Sequence, residues 1–119
     1  MNIGIVGVTG LVGRTFLSAL PLYGFDRATV YGAASAKSVG QRIPFREGEL
    51  VVESIERLLE RNLDMVFFSA GAAVSREWAP RFAEKGAWVI DNSSAWRLEA
   101  GIPLIIPEVN PHHLNGSRL

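Results

Sequence analysis

The sequence contains no cysteine. That absence excludes disulfide bridges, thiolate metal sites and a cysteine nucleophile on these residues. Charge is sparse and balanced, with 12 Lys+Arg against 12 Asp+Glu and only 20% charged residues. A neutral chain lacks the broad basic field that holds a nucleic-acid backbone, so no nucleic-acid partner is expected. No apolar run approaches the roughly 18 residues that a membrane span requires. The apolar amino terminus has no basic segment ahead of it and is interrupted by glycines and Thr9, so it reads as neither signal peptide nor anchor. Without a secretory signal, the sequons at Asn92-Ser93-Ser94 and Asn115-Gly116-Ser117 read as chance. A soluble, cytoplasmic protein with no membrane partner is the expectation. What the sequence does have is 48% apolar residues and 12 glycines in 119 positions. A chain of this length fits one domain, 1–119, that buries roughly two thirds of its unfolded surface.

Short apolar runs alternate with helical patterns. Asn2–Gly7 reads as a buried strand, Leu11–Leu22 as a helix, and Ala28–Ala34 as a second strand. Pro44 and Gly48 between apolar pairs predict a hairpin excursion within Arg42–Val52. Glu53–Arg61 reads as a short helix capped by Ser54, and Asp64–Ser69 as another buried strand. Ser75–Lys85 reads as a helix closed by Gly86, followed by strands at Ala87–Ile90 and Leu104–Ile106. This alternation predicts an α/β fold, Rossmann-like and doubly wound, with a mostly parallel sheet and helices on both faces. Ligands on such a sheet bind at the carboxyl ends of the strands. The loops after Gly7, Ala34 and Ile90 are therefore expected to face one crevice.

The first of these loops, Gly7-Val-Thr-Gly10-Leu-Val-Gly13, follows a strand and opens a helix. Its G-x-x-G-x-x-G spacing is a relative of the dinucleotide fingerprint. Gly7 is expected to make the turn, Gly10 to let backbone approach a pyrophosphate, and Gly13 to let helix pack on strand. The helix amino terminus offers N–H groups to phosphate, and Thr9 adds a hydroxyl. NAD sites usually place an acid near the end of the second strand. Here that strand ends without one and is followed by Ser35-Ala-Lys37-Ser38. A cation flanked by hydroxyls suits a 2′-phosphate, which favours NADP as cofactor.

The segment Asp91-Asn92-Ser93-Ser94-Ala95-Trp96-Arg97 places polar groups just past a buried strand. Arg97 is suited to bidentate contact with an oxyanion. Asn92, Ser93 and Ser94 either cap the next turn or touch a ligand; an Asx-type turn with a surface arginine accounts for the same residues.

Gly7–Gly13, Ala34–Ser38, Phe68–Gly71, Asp91–Arg97 and Pro107–Asn110 occur in one order. That series resembles the amino-terminal part of the aspartate-semialdehyde dehydrogenases, and the likeness runs from about Asn2 to about His112. The resemblance implies NADPH-dependent reduction of L-aspartyl 4-phosphate to the semialdehyde with release of phosphate. It implies a thiolate that carries the acyl group, in the Lys/Met/Thr branch of amino-acid biosynthesis. By motif matching, Gly7, Thr9, Gly10, Leu11, Val12 and Gly13 form the pyrophosphate loop, and Ser35, Lys37 and Ser38 meet the adenosine 2′-phosphate. Ala70 and Gly71 lie beside the nicotinamide half, and Asn92 either contacts the cofactor or lies near the substrate phosphate. Arg97, with Ser94, binds the substrate phosphate. Two departures stand out. Lys37 occupies a position that is often arginine, which keeps the charge and loses the planar fork. The family's nucleophile motif would follow soon after Pro107–Asn110 and is absent, as is the second domain that carries the acid/base histidine and the dimer contacts. The chain alone is therefore not expected to turn over, although family members are expected to be homo-oligomers. The apolar Ile102–Pro107 segment is expected to belong to surface meant for that second domain. His112 and His113, adjacent after Pro111, read as a loop or helix start, and no metal site is expected.

Two alternatives stay open. One is a stand-alone NADP-binding or regulatory module; the other is a relative of N-acetyl-glutamyl-phosphate reductase. Short-chain reductases share the glycine spacing but require Tyr-x-x-x-Lys. Here Tyr23 is followed four residues on by Arg27, and Tyr31 by Ser35.

Overall fold

The computed structural model describes residues 1–96 and 101–102. Six strands form one sheet: β1 (Asn2–Val6), β2 (Thr29–Ala33), β3 (Arg42–Phe45), β4 (Gly48–Glu53), β5 (Met65–Phe68) and β6 (Trp88–Asp91). Their order is β3-β4-β2-β1-β5-β6. All pairings are parallel except β3 with β4. Three α-helices connect them: α1 (Leu11–Ala19), α2 (Ile55–Leu59) and α3 (Ala72–Glu84).

Side chains alternate across the central strands as a period of two requires. Ile3 and Ile5 of β1 and Phe67 of β5 join Leu17 and Leu20 on the α1 side. Val6, Val66 and Phe68 join Leu58, Ala79 and Phe82 on the α2–α3 side. The sheet is thus buried between helices on both faces, the doubly wound arrangement expected. Each fully buried Ile, Val, Leu or Phe contributes roughly 1.5–3 kcal/mol. Residues without a side chain let the layers approach. A Cβ on Gly4 would lie 2.8 Å from Leu63 Cδ1, and one on Gly32 2.9 Å from Val8 Cγ1.

Three elements differ from the sequence expectation. The hairpin is more than an excursion, because β4 pairs in parallel with β2 (Gly32↔Val52, Ala33↔Glu53) and becomes a sheet member. The first helix gives way to a 3-10 turn over Leu20–Tyr23, where Pro21 has no N–H to continue the α-helical ladder. The helix expected from Ser75 begins a turn earlier, at Ala72. The strand expected at Leu104–Ile106, together with Arg97, His112 and His113, lies outside the described residues; of the apolar Ile102–Pro107 segment only Ile102 is described.

Local chemistry sets the ends. Ser54 Oγ accepts a hydrogen bond from the Arg57 N–H at 3.1 Å and caps α2. Gly86, at φ 94°, ends α3 in the left-handed conformation that glycine adopts without strain.

Candidate functional site

The strand order changes direction at β1. Chain progress runs outward from β1 through β2 to β4, then returns to β5 on the other side of β1. In open α/β sheets the crevice beyond such a switch point is where ligands bind. A cleft of ≈ 380 Å³ opens there, lined by Gly7, Thr9 and Gly10 after β1, Ala34 and Ser35 after β2, and Ser69 and Ala70 after β5. Val6, Ile55 and Val74 supply apolar wall.

Two glycines bring these loops together. Gly7 has φ 88°, and a Cβ there would lie 2.7 Å from the Ser69 carbonyl oxygen. The β1 and β5 loops therefore touch through a position only glycine fits. A Cβ on Gly13 would lie 2.8 Å from Val8 Cα and 2.9 Å from the Gly7 carbonyl carbon, with the Gly7 oxygen nearer still. Gly13 thus sets how close α1 sits to the strand that precedes it. Gly10 differs from both. Its φ of −79° and ψ of 171° suit any residue, and a Cβ there would meet only the Gly7 oxygen at 3.5 Å. Gly10 itself lines the cleft.

The helix termini point to the charge of a ligand. Helix α1 begins at Gly10 with no side-chain cap and no acid in its first turn. Helix α3 begins the same way at Gly71, which has φ 92°. By contrast α2 is closed by Ser54 and carries Glu56 in its first turn. Unpaired N–H groups and the positive dipole end are therefore left open at α1 and α3, an arrangement that suits an anion. The glycine loop, the uncapped α1 and the cleft volume together fit a dinucleotide pyrophosphate.

Ser35 is exposed and lines the cleft, and Lys37 and Ser38 follow in a 3-10 turn over Ala36–Ser38. Lys37 is exposed and outside the cleft lining. The carboxylate closest in register to this strand end is Glu53, paired with Ala33. It is occupied by Arg61, whose Nε donates to Glu53 Oε2 at 3.0 Å and whose NH2 group donates to Oε1. Arg61 also stacks over Tyr31 at 4.0 Å. The Glu53 hydrogen bond raises the Arg61 pKa above its ordinary value, so the guanidinium stays charged. The charge of Glu53 is thus offset by Arg61 at this strand end.

Leu11 and Val12, exposed at 84% and 40%, stand at the start of α1 directly after Gly10. Gly71 adjoins Ala70 as the N-cap of α3. The loop after β6 is anchored to β5, since the Asn92 N–H donates to the Phe68 carbonyl at 2.9 Å. Asn92 and Ser94 are exposed there, but neither lines the cleft. Of the sequence-predicted groups, Gly7, Thr9, Gly10, Ser35 and Ala70 line the cleft, Lys37, Asn92 and Ser94 do not, and Arg97 lies outside the described residues. Ser69, Ile55 and Val74 were not anticipated. Ser69 follows an apolar run and could have been found from strand-end position alone, whereas Ile55 and Val74 carry no signal beyond apolarity. Among the described residues no group of three or more His, Asp or Glu is placed to hold a metal ion, and no helix is long and apolar enough to cross a membrane.

The description that matches residues 2–117 is the semialdehyde dehydrogenase NAD-binding domain. The chain belongs to that family. It is 46% identical over 113 residues to the aspartate-semialdehyde dehydrogenase of Aquifex aeolicus, an alignment that covers 92% of this chain and 33% of the relative. Among solved structures, aspartate semialdehyde dehydrogenase II of Vibrio cholerae, complexed with ASA, superposes with a TM-score of 0.84 at 38% identity, over 93% of this chain and 36% of that one. The Candida albicans enzyme with NADP gives a TM-score of 0.78 at 30% identity, over 94% of this chain and 35% of that one. The chain therefore spans about a third of the length of these relatives.

Proposed function

We propose that these residues are the cofactor-binding portion of an NADP-dependent aspartate-semialdehyde dehydrogenase. The observation that carries the reading is the glycine loop at the switch point, with Gly10 open to the cleft and α1 uncapped behind it. The dinucleotide lies across the crevice. Its pyrophosphate is held by the backbone of Thr9–Gly13, behind the turn at Gly7. Its adenosine 2′-phosphate meets Ser35, Lys37 and Ser38, its nicotinamide half lies beside Ala70 and Gly71, and Asn92 is a further cofactor contact. Arg97 and Ser94 take the phosphate of the acyl-phosphate substrate.

The reaction converts L-aspartyl 4-phosphate and NADPH to L-aspartate 4-semialdehyde, NADP and phosphate, in the Lys/Met/Thr branch of amino-acid biosynthesis. The nicotinamide, when bound, supplies the hydride. The contribution of these residues is to bind and orient: N–H groups neutralise the pyrophosphate, Lys37 reads the 2′-phosphate, and Arg97 matches the planar or tetrahedral oxyanion. The covalent step of the family needs a thiolate. No cysteine occurs in these 119 residues, so they do not turn over unaided.

Calorimetric titration of the chain with NADPH and with NADH, in the same salt, tests the reading. Tighter binding of NADPH supports it. Binding of neither would remove the dinucleotide assignment, and preference for NADH would remove the assignment of Lys37.

A further inference from the structure

A chain of hydrogen bonds joins α3 to the loop after β6. The Trp96 indole Nε1–H donates to Ser75 Oγ at 2.8 Å. The Ser75 hydroxyl in turn donates to Asp91 Oδ2. From the other direction the Ala95 N–H donates to Ser93 Oγ at 3.2 Å, and the Ser93 hydroxyl donates to the same Asp91 oxygen at 2.9 Å. The Ser93 N–H completes the set at Asp91 Oδ1, at 2.7 Å. Each hydroxyl spends its one proton on the carboxylate and receives an N–H on its oxygen, so every bond in the chain has one direction. Ser75 is fully buried, the one buried polar residue among the described residues. Asp91 thus accepts three hydrogen bonds, two on Oδ2 and one on Oδ1.

The chain links parts of the sequence that border the proposed site. Ser75 lies in the first turn of α3, and its N–H donates to the Gly71 carbonyl at 3.1 Å. Its neighbour Val74 lines the cleft. Asp91 ends β6, and the loop that follows carries Asn92 and Ser94, whose side chains are exposed. We infer that Ser75, Asp91 and Trp96 are positioning residues: they lock the β6 loop to the first turn of α3 and so fix the nicotinamide side of the crevice. The inference rests on the dinucleotide reading above. It goes further in giving a buried serine and an indole a function at a ligand they do not touch.

The test compares two ligands on the whole chain. Adenosine 2′,5′-bisphosphate engages the β2 side only, whereas NADPH spans both sides. Ser75→Ala should weaken NADPH by about five- to tenfold, the worth of one or two displaced hydrogen bonds, and leave the bisphosphate within about twofold. Trp96→Phe keeps the ring, removes the N–H donor, and should show the same split in smaller measure. The double variant should be no weaker than Ser75→Ala alone, because the indole bond has already lost its acceptor. Unchanged NADPH affinity in both folded single variants would overturn the inference, since the chain would then only stabilise the fold. Equal loss of both ligands would overturn it as well. If the unsubstituted chain bound neither ligand, the dinucleotide reading itself would fall and the inference with it.

Discussion

Replacement of Gly13 by alanine sets two effects of opposite sign against each other. Inside a helix, Gly→Ala gains about 1 kcal/mol from backbone entropy. At Gly13, however, the new Cβ would stand 2.8 Å from Val8 Cα and 2.9 Å from the Gly7 carbonyl carbon. Both are main-chain atoms, so no rotamer change relieves the overlap. Helix α1 must instead move off the β1 turn and loosen Leu17, which is buried on that side. Because the clashing atoms are main chain, the cost should fall in the upper part of the usual overpacking range, about 2–3 kcal/mol, and the collision should win by about 1–2 kcal/mol after the propensity gain. In urea, with a slope of about 1–3 kcal/mol per molar, the midpoint should fall by roughly 0.3–2 M. Gly10→Ala is the partner measurement. Its Cβ has room and its backbone angles suit alanine, so stability should change by about 1 kcal/mol or less, the difference between these residues as an N-cap. NADPH affinity should nevertheless fall by about tenfold or more, because the methyl occupies space needed for close approach of the pyrophosphate. A Gly13→Ala protein as stable as the parent would refute the claim that α1 is held against the turn. Unimpaired NADPH binding by Gly10→Ala would refute the claim that the space above it is for ligand.

Other consequences are simpler. Lys37→Glu should weaken NADPH far more than NADH in parallel titrations; equal losses would show that Lys37 does not read the 2′-phosphate. Arg97→Ala should leave NADPH affinity intact and weaken inorganic phosphate or sulfate, and an unchanged anion affinity would take Arg97 out of that role. Phe82, 2% exposed and packed edge-on to Phe68 at 5.7 Å, should cost about 3–5 kcal/mol as alanine in thermal or urea unfolding. A loss below about 1 kcal/mol would contradict the placement of α3 against the sheet.

The parts of the fold legible in the sequence were those with local causes. β1 is a short apolar run that ends in a glycine forced to positive φ, and its hydrophobic pattern and turn signal the same element. Ser54 before α2 and Gly86 after α3 were readable for the same reason, since each acts on backbone within a few residues. The parallel union of β4 with β2 was not legible. Its register joins Gly32 to Val52 across twenty residues, and nothing in either segment names the other. The first turn of α3 was missed because Ala72-Ala73-Val74 follows a glycine N-cap instead of a Ser, Thr, Asp or Asn. At the site, the glycine spacing and the absence of an acid after β2 were visible as sequence. The engagement of Glu53 by Arg61 was not, although it bears on the same electrostatics. The Trp96–Ser75–Asp91 chain was hidden more deeply, because its members are 16 and 21 residues apart and Ser75 stands in a helix as an ordinary small residue.

The central claim is that the crevice at the switch point holds a dinucleotide on the glycine loop. It is tested most directly by following backbone amide resonances of the isotopically labelled chain during titration with NADPH. The account predicts that amides of Thr9, Gly10, Leu11 and Val12 shift together with those of Ser35–Ser38 and Ala70–Gly71, while the far ends of β1 and β5 stay still. Shifts clustered elsewhere, with the amides from Thr9 to Val12 unmoved at saturating NADPH, would contradict it.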